Sequence, residues 1–167
     1  MKIRISDNLM IGKAGEHLAC CDLICQGFNA FLSDQGLPFD LVVEHKGKLY
    51  RGQVKTVQRM YKYYQRKDGH KANRAFRFTT RHGTTTKNRA TELNEVDFYA
   101  FVVLPKKIVA YMWVKDMVSK NTGKVNQLLE FKDRDIEYKK DRLGRKIKGK
   151  FIQDYLIWKP NKSVKIK

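Results

Sequence analysis

At 167 residues, 42% hydrophobic and 31% charged, the chain is long enough for one domain with a real core and too apolar for general disorder. No apolar run approaches the roughly 20 residues of a membrane span, and no signal-peptide pattern opens the chain. A formal net charge of +18 is more than a merely soluble surface requires, and it is unevenly spread. Acidic residues outnumber basic ones over residues 1–45, whereas Asp68 is the only acidic residue across 46–89. A one-signed stretch of that length points to a polyanion, and nucleic acid is the expected partner. Cys20, Cys21 and Cys25 are odd in number and crowded, which fits a reducing compartment and helix positions better than disulfides or a zinc shell.

In chain order, Asp7 or Asn8 can cap a helix over residues 10–26 that Gly27 ends. Its apolar stripe is read as Ile11, Ala14, Leu18, Cys21 and Cys25, widened by Leu23 and Ile24. A short strand over 28–32 and a loop over 33–38 follow, then a hairpin with strands 39–45 and 49–58. Residues 59–81 alternate aromatic and basic side chains around Asp68-Gly69, the signal of a two-stranded ribbon. Residues 84–95 read as a polar loop with a short helix, and 97–104 and 108–114 as two core strands joined at Pro105-Lys106-Lys107. A short helix is expected near 115–120. Beyond Gly123 the apolar content thins except at 125–131 and 151–158, and 159–167 reads as a tail that orders only on meeting a partner.

The hairpin carries the chemistry. Asp40 lies between Phe39 and Leu41-Val42-Val43, where a carboxylate rarely goes without a partner. Gln53 and Lys55, two apart on the next strand, emerge on one face, with Val54 and Val57 expected to pack the opposite side. A hard cation beside a lysine is the apparatus for hydrolysing a phosphodiester. The four histidines lack the spacing of a metal site, no GxxxxGK[ST] loop is present, and Ser33, Cys20 and Cys21 have no paired base.

With Glu16 on the first helix, these residues resemble the PD-(D/E)XK nuclease superfamily. Pro38-Phe39-Asp40 stands for the PD element with one residue inserted, Gln53-Val54-Lys55 for (D/E)XK, and Gly15-Glu16 for the helix glutamate of many members. The resemblance covers about residues 11–57 and, more loosely, the strands to 114. Gln53 departs from the usual carboxylate. Intron-encoded homing endonucleases of this superfamily are similar in having Gln there, while Holliday-junction resolvases look similar in helix and hairpin but usually have Glu.

The resemblance implies an α/β fold with a restriction-endonuclease-like mixed sheet of αβββαβ type. It would form a single domain over 1–167, with a core of about 8–118, an inserted basic ribbon at 59–81 and a basic C-terminal extension at 119–167. It implies Mg²⁺, with Mn²⁺ able to substitute, held by Asp40, Gln53, the Val54 carbonyl and Glu16. The residues of catalysis would be Glu16, Asp40, Gln53 and Lys55, the lysine orienting water and offsetting phosphate charge. DNA, duplex or branched, would meet Arg59, Lys62, Arg66, Lys67, Lys71, Arg74, Arg77 and Arg81. Tyr61, Tyr63, Tyr64, Phe76 and Phe78 either stack on bases or form a packed face of the ribbon. Cutting both strands needs two sites, so a homo-oligomer, dimer or tetramer, is expected, without a membrane role. The expected location is the cytoplasm, on the nucleoid or as a phage-encoded protein in a bacterial host. Three functions fit: a site-specific homing-type endonuclease, a junction resolvase, and a non-enzymatic nucleic-acid binder on an inactive nuclease scaffold, the last favoured only by Gln53.

Overall fold

The computed structural model describes residues 8–34, 37–62, 74–81, 95–136 and 149–160. Helix α1 spans Asn8–Cys25, starting two residues ahead of expectation. Gly27, at φ +88°, closes it: its N–H donates to the Ile24 carbonyl and the Phe28 N–H to the Leu23 carbonyl. That pair of bonds satisfies the last helical carbonyls and needs a left-handed residue, which glycine adopts without strain. The buried line on α1 is Gly15, Ala19, Cys20 and Leu23, with Ile11, Ala14 and Leu18 partly covered. Cys21, Ile24 and Cys25 are exposed, contrary to the expected stripe. The reason lies at Gly15, where an added Cβ would sit 1.8 Å from Thr56 Oγ1. The helix lies so close to the sheet there that the buried face follows the small residue rather than the cysteines.

Strands β1 (Asn29–Leu32), β2 (Leu41–His45), β3 (Lys48–Val57), β6 (Phe98–Val103) and β7 (Ile108–Trp113) form a sheet in the order β1-β2-β3-β6-β7. All neighbours are antiparallel except β3 and β6, which run parallel with Gln53 beside Tyr99 and Lys55 beside Phe101. The sheet is therefore mixed, as expected. A second helix of an αβββαβ chain would fall within 82–94, outside the described residues. Every residue of β6 is buried, because Phe98, Ala100 and Val102 face α1 while Tyr99, Phe101 and Val103 face a second apolar cluster. Burial on both faces explains why this segment reads as an unbroken apolar run.

The second cluster is roofed by another sheet. Strand β4 (Tyr61–Lys62) pairs with β5 (Arg74–Thr79), β5 with β8 (Leu128–Lys132), and β8 with β9 (Lys150–Phe151). Phe76 and Phe78 from β5, Leu129 and Phe131 from β8, and Ile152 turn inward onto Tyr99 and Phe101. The basic ribbon and the C-terminal segment, read separately in the sequence, are thus strands of one sheet. The ribbon phenylalanines form its packed face and are not available to stack on bases; the tip, 63–73, lies outside the described residues.

The C-terminal segment also returns to the first core. Trp158, 1% exposed, meets the rings of Phe28, Tyr50, Phe98 and Trp113 at 4.7–5.6 Å between centroids. Gln26 grips this return from both sides, donating to the Leu156 carbonyl and accepting from the Trp158 N–H. The Lys159 carbonyl accepts from Trp113 Nε1, so the start of the expected tail is anchored by the fold. Among the described residues, no helix is long and apolar enough to cross a membrane.

Asp133 ties the two sheets together. Its fully buried carboxylate accepts from Lys106 Nζ, from Gln153 Nε2 at 2.7 Å and from the Asp135 N–H at 3.1 Å. Burial pushes its pKa up, but these donors outweigh it and hold the carboxyl below its ordinary value. A depressed folded pKa contributes stability above the unfolded value of about 3.9 and loses it as pH falls through the folded one. Asp133→Asn should therefore cost about 2 kcal/mol at pH 7, below the figure for a fully buried pair because Lys106 is one-third exposed. Urea unfolding of both proteins at pH 7 and pH 3 checks this, and the gap should narrow in acid.

Candidate active site

The β2–β3 ladder ends at the pair Leu41–Gly52, and Asp40 stands where the strands part. Its backbone continues the pairing, with its N–H donating to the Gly52 carbonyl and its carbonyl accepting from the Ser33 N–H, both at 2.9 Å. Its carboxylate fills the gap that opens beyond: Oδ2 accepts from the Val54 N–H at 2.7 Å and from Gln53 Nε2. In a strand, one residue's N–H and C=O point to the same edge. The Val54 carbonyl therefore faces the edge where Asp40 lies.

Gln53 is 8% exposed, and among the described residues its buried Oε1 has no hydrogen-bond partner. Buried amide oxygens are seldom left so, and one beside a carboxylate is a standing acceptor for a cation. Lys55, half-buried on the same face of β3, donates from Nζ to the Arg81 carbonyl at 3.2 Å. Glu16, held by Lys13 at 2.7 Å, projects from α1 close enough for its charge to act on Asp40. The structure thus brings Glu16, Asp40, Gln53 and Lys55 together. Val54 and Val57 do not share a face: Val54 joins the cluster under α1, and Val57 the opposite one. Residues three apart on a strand point opposite ways, so Val57 lies on the side of Gln53 and Lys55.

Burial perturbs both charged groups of the site, and at Asp40 a cation would relieve the perturbation. Burial raises the Asp40 pKa and the Glu16 charge adds to the rise, against the opposing pull of the Val54 N–H, Lys55 and Gln53. Burial lowers the Lys55 pKa, and Asp40 offsets only part of that. Titratable groups perturbed by burial and by each other are the pattern that marks a candidate functional site. The available donors are all oxygens, from Asp40, Gln53, Val54 and Glu16, the set that suits Mg²⁺ rather than a softer metal. Among the described residues, no group of three His, Cys, Asp or Glu could hold a metal ion. Here an amide stands where the third carboxylate would be.

The expected DNA contacts fare unevenly. Arg59 is exposed just past β3, and Lys62 lies opposite Arg74 in the β4–β5 pair. Arg66, Lys67 and Lys71 lie outside the described residues. Arg77 pairs with Glu130 at 2.7 Å and lies 3.9 Å over the Tyr61 ring, and Arg81 Nε donates to Gln127 Oε1 at 2.7 Å. The sequence reading missed Tyr99, which is fully buried and whose hydroxyl donates to the Thr80 carbonyl at 3.0 Å. Its signal was a phenol inside an apolar strand, which must find a partner when buried.

The profile of the PD-(D/E)XK endonuclease family matches residues 7–141. No protein of curated function matches the chain. Among solved structures, the bacterial homing endonuclease I-Ssp6803I is similar at a TM-score of 0.59 and 18% identity, over 82% of this chain and 86% of that one. At that identity the likeness is one of fold, and it is the fold that the family resemblance implied. With the profile spanning most of its length, the chain belongs to the PD-(D/E)XK endonuclease family.

Proposed function

We propose that this nuclease is a Mg²⁺-dependent endonuclease that cuts duplex DNA at a preferred site, in the manner of a homing enzyme. The observation that carries the reading is the Asp40 carboxylate beside Gln53, whose Oε1 is buried without a hydrogen bond among the described residues, with the Lys55 ammonium near enough for the two charges to act on each other. Asp40, Gln53 and the Val54 carbonyl would hold the cation, with Glu16 at its flank. Bound there, a divalent cation supplies Lewis acidity toward the scissile phosphate and toward water. Lys55 sets its ammonium toward the charge that grows on the phosphate oxygens, held in aim by the Arg81 carbonyl. Glu16, already engaged by Lys13, takes a proton-accepting or second-cation role.

One such site cuts one strand, so duplex cleavage calls for a second copy of the chain, in a dimer or tetramer. The ribbon enters a groove wide enough for two strands, with Arg59, Lys62, Arg66, Lys67, Lys71, Arg74, Arg77 and Arg81 as its cationic set. Arg77, through Glu130 and Tyr61, and Arg81, through Gln127, would be pre-oriented contacts rather than free ones. Supercoiled plasmid and a four-way junction, each with and without Mg²⁺, test the reading. Cleavage of plasmid is expected; cleavage confined to the junction would make the protein a resolvase, and binding without cleavage would make it a scaffold.

The ribbon makes a second prediction. DNA affinity should fall with salt at a log–log slope of roughly −0.9 per phosphate neutralised. Replacing residues 67–73 by Asn-Gly should flatten that slope and weaken site preference. Fluorescence anisotropy over a salt series checks it, and an unchanged slope would show that the tip touches no phosphate.

A further inference from the structure

Two residues, Thr80 and Arg81, join the second sheet to the reacting face of the first. On one side they are fixed to the turn that leads into β8: the Thr80 N–H donates to the Gln127 carbonyl at 3.1 Å, Thr80 Oγ1 to the Asn126 carbonyl at 2.8 Å, and Arg81 Nε to Gln127 Oε1 at 2.7 Å. On the other side they meet β6 and β3: the Thr80 carbonyl accepts from the Tyr99 hydroxyl at 3.0 Å, and the Arg81 carbonyl from Lys55 Nζ at 3.2 Å. Thr80 is 1% exposed and Tyr99 fully buried, the latter stacked on Phe101 with rings 9° from parallel. The Thr80 carbonyl and the Arg81 N–H belong to one planar peptide unit, so fixing that carbonyl fixes the plane from which Arg81 continues. Tyr99 thus restrains the backbone that carries the Arg81 carbonyl, and that carbonyl is the hydrogen-bond acceptor at the lysine.

We infer that Tyr99 is a positioning residue for this nuclease, acting through Thr80 and Arg81 to aim the Lys55 ammonium. The inference rests on the reading of Lys55 given above. It has a consequence for coupling: Thr80 and Arg81 directly follow β5, the return strand of the basic ribbon. A ribbon seated in its groove would therefore hold the lysine in line through the two residues that follow β5, and one displaced from the groove would loosen it. Positioning of this kind has leverage, since a misplacement of about 1 Å costs on the order of 10²-fold in rate.

The test is single-turnover cleavage by Tyr99→Phe, which keeps the ring and removes only the hydroxyl, at a temperature where wild type and variant are both folded. A loss of about 10-fold or more in rate is expected. Affinity for uncut DNA, measured with Ca²⁺ in place of Mg²⁺, should stay within about twofold of wild type, which a general loosening of the fold would not allow. Thr80→Val, which frees the segment from Asn126, should lower the rate in the same direction and keeps the proposal testable should Tyr99→Phe fold poorly. Lys55→Met run in parallel separates the two claims. If Lys55→Met is inactive and both Tyr99→Phe and Thr80→Val cut at wild-type rate, the positioning role is overturned. A loss of DNA affinity matching the loss of rate would also overturn it, since Tyr99 would then serve binding. If Lys55→Met itself cuts normally, the failure lies in the reading of the lysine.

Discussion

Asp40→Asn should lower cleavage by about 10³-fold or more while leaving DNA binding in EDTA intact, because the substitution removes the carboxylate that would anchor the cation. Asparagine keeps an oxygen for the Val54 N–H, so the parted strands retain their closing bond. Stability should move the other way from activity. The folded pKa of Asp40 is raised, first by burial and further by Glu16. A raised folded pKa contributes stability below the unfolded value of about 3.9 and loses it as pH rises through the folded one. At pH 7 without metal the ionised carboxylate is therefore a burden, and the neutral amide should melt at the same temperature as wild type or higher. Mg²⁺ should raise the melting temperature of wild type and leave that of the variant unchanged, since only wild type keeps the ligand. Differential scanning calorimetry with and without Mg²⁺ reads both signs. A variant that melts well below wild type would contradict the burial argument, and one that cuts normally would remove Asp40 from the site.

Lys55→Met should slow cleavage about 10²–10³-fold, the usual cost of losing one donor aimed at a developing charge. Methionine keeps the length of the stem, so the packing of β3 against β6 should survive. Burial lowers the Lys55 pKa, with Asp40 opposing. A lowered folded pKa contributes stability above the unfolded value of about 10.4 and loses it as pH falls through the folded one, so at pH 7 the charged form is a cost that methionine lacks. The expected pattern is slower cutting, unchanged affinity in Ca²⁺ and equal or greater stability, measured by single-turnover kinetics and urea unfolding. Cleavage at wild-type rate would show that the phosphate charge is met by another group.

The site was legible in the sequence to the extent that it is local. Asp40 stood out because a carboxylate amid Phe39 and Leu41-Val42-Val43 needs a partner, and Gln53 and Lys55 because two residues apart on a strand share a face. Gly27 marked the end of α1 for the same reason of local chemistry. Where distance along the chain mattered, only the family resemblance, which set Glu16 beside Asp40, reached across it. Nothing in the run 128–132 says that it pairs with β5, some fifty residues earlier, so the ribbon and the C-terminal segment looked like separate additions. Periodicity identifies a strand but not its neighbour. Trp158 likewise read as part of a small late cluster, although it packs under α1 against Phe28 and Phe98.

Two errors were of a different kind. Gly15 was read for the glutamate beside it and not for its own lack of a Cβ, yet that absence lets α1 approach Thr56 and turns Cys21 and Cys25 outward. Val57 was assigned to the face of Val54 although an odd separation on a strand reverses the side chain. The link from Tyr99 through Thr80 and Arg81 to Lys55 was beyond reach for a third reason, since it runs through backbone carbonyls, which the residue types do not reveal.

Asp40, Gln53 and Lys55 are proposed to form a cation-dependent phosphodiester-cleaving site. Incubating supercoiled plasmid with the wild-type protein in Mg²⁺ and in EDTA, and resolving nicked and linear forms on a gel, tests it most directly. Nicked and then linear DNA are expected in Mg²⁺, and intact supercoils in EDTA. Equal cleavage in EDTA, or intact supercoils under both conditions with a plasmid that the protein demonstrably binds, would contradict it.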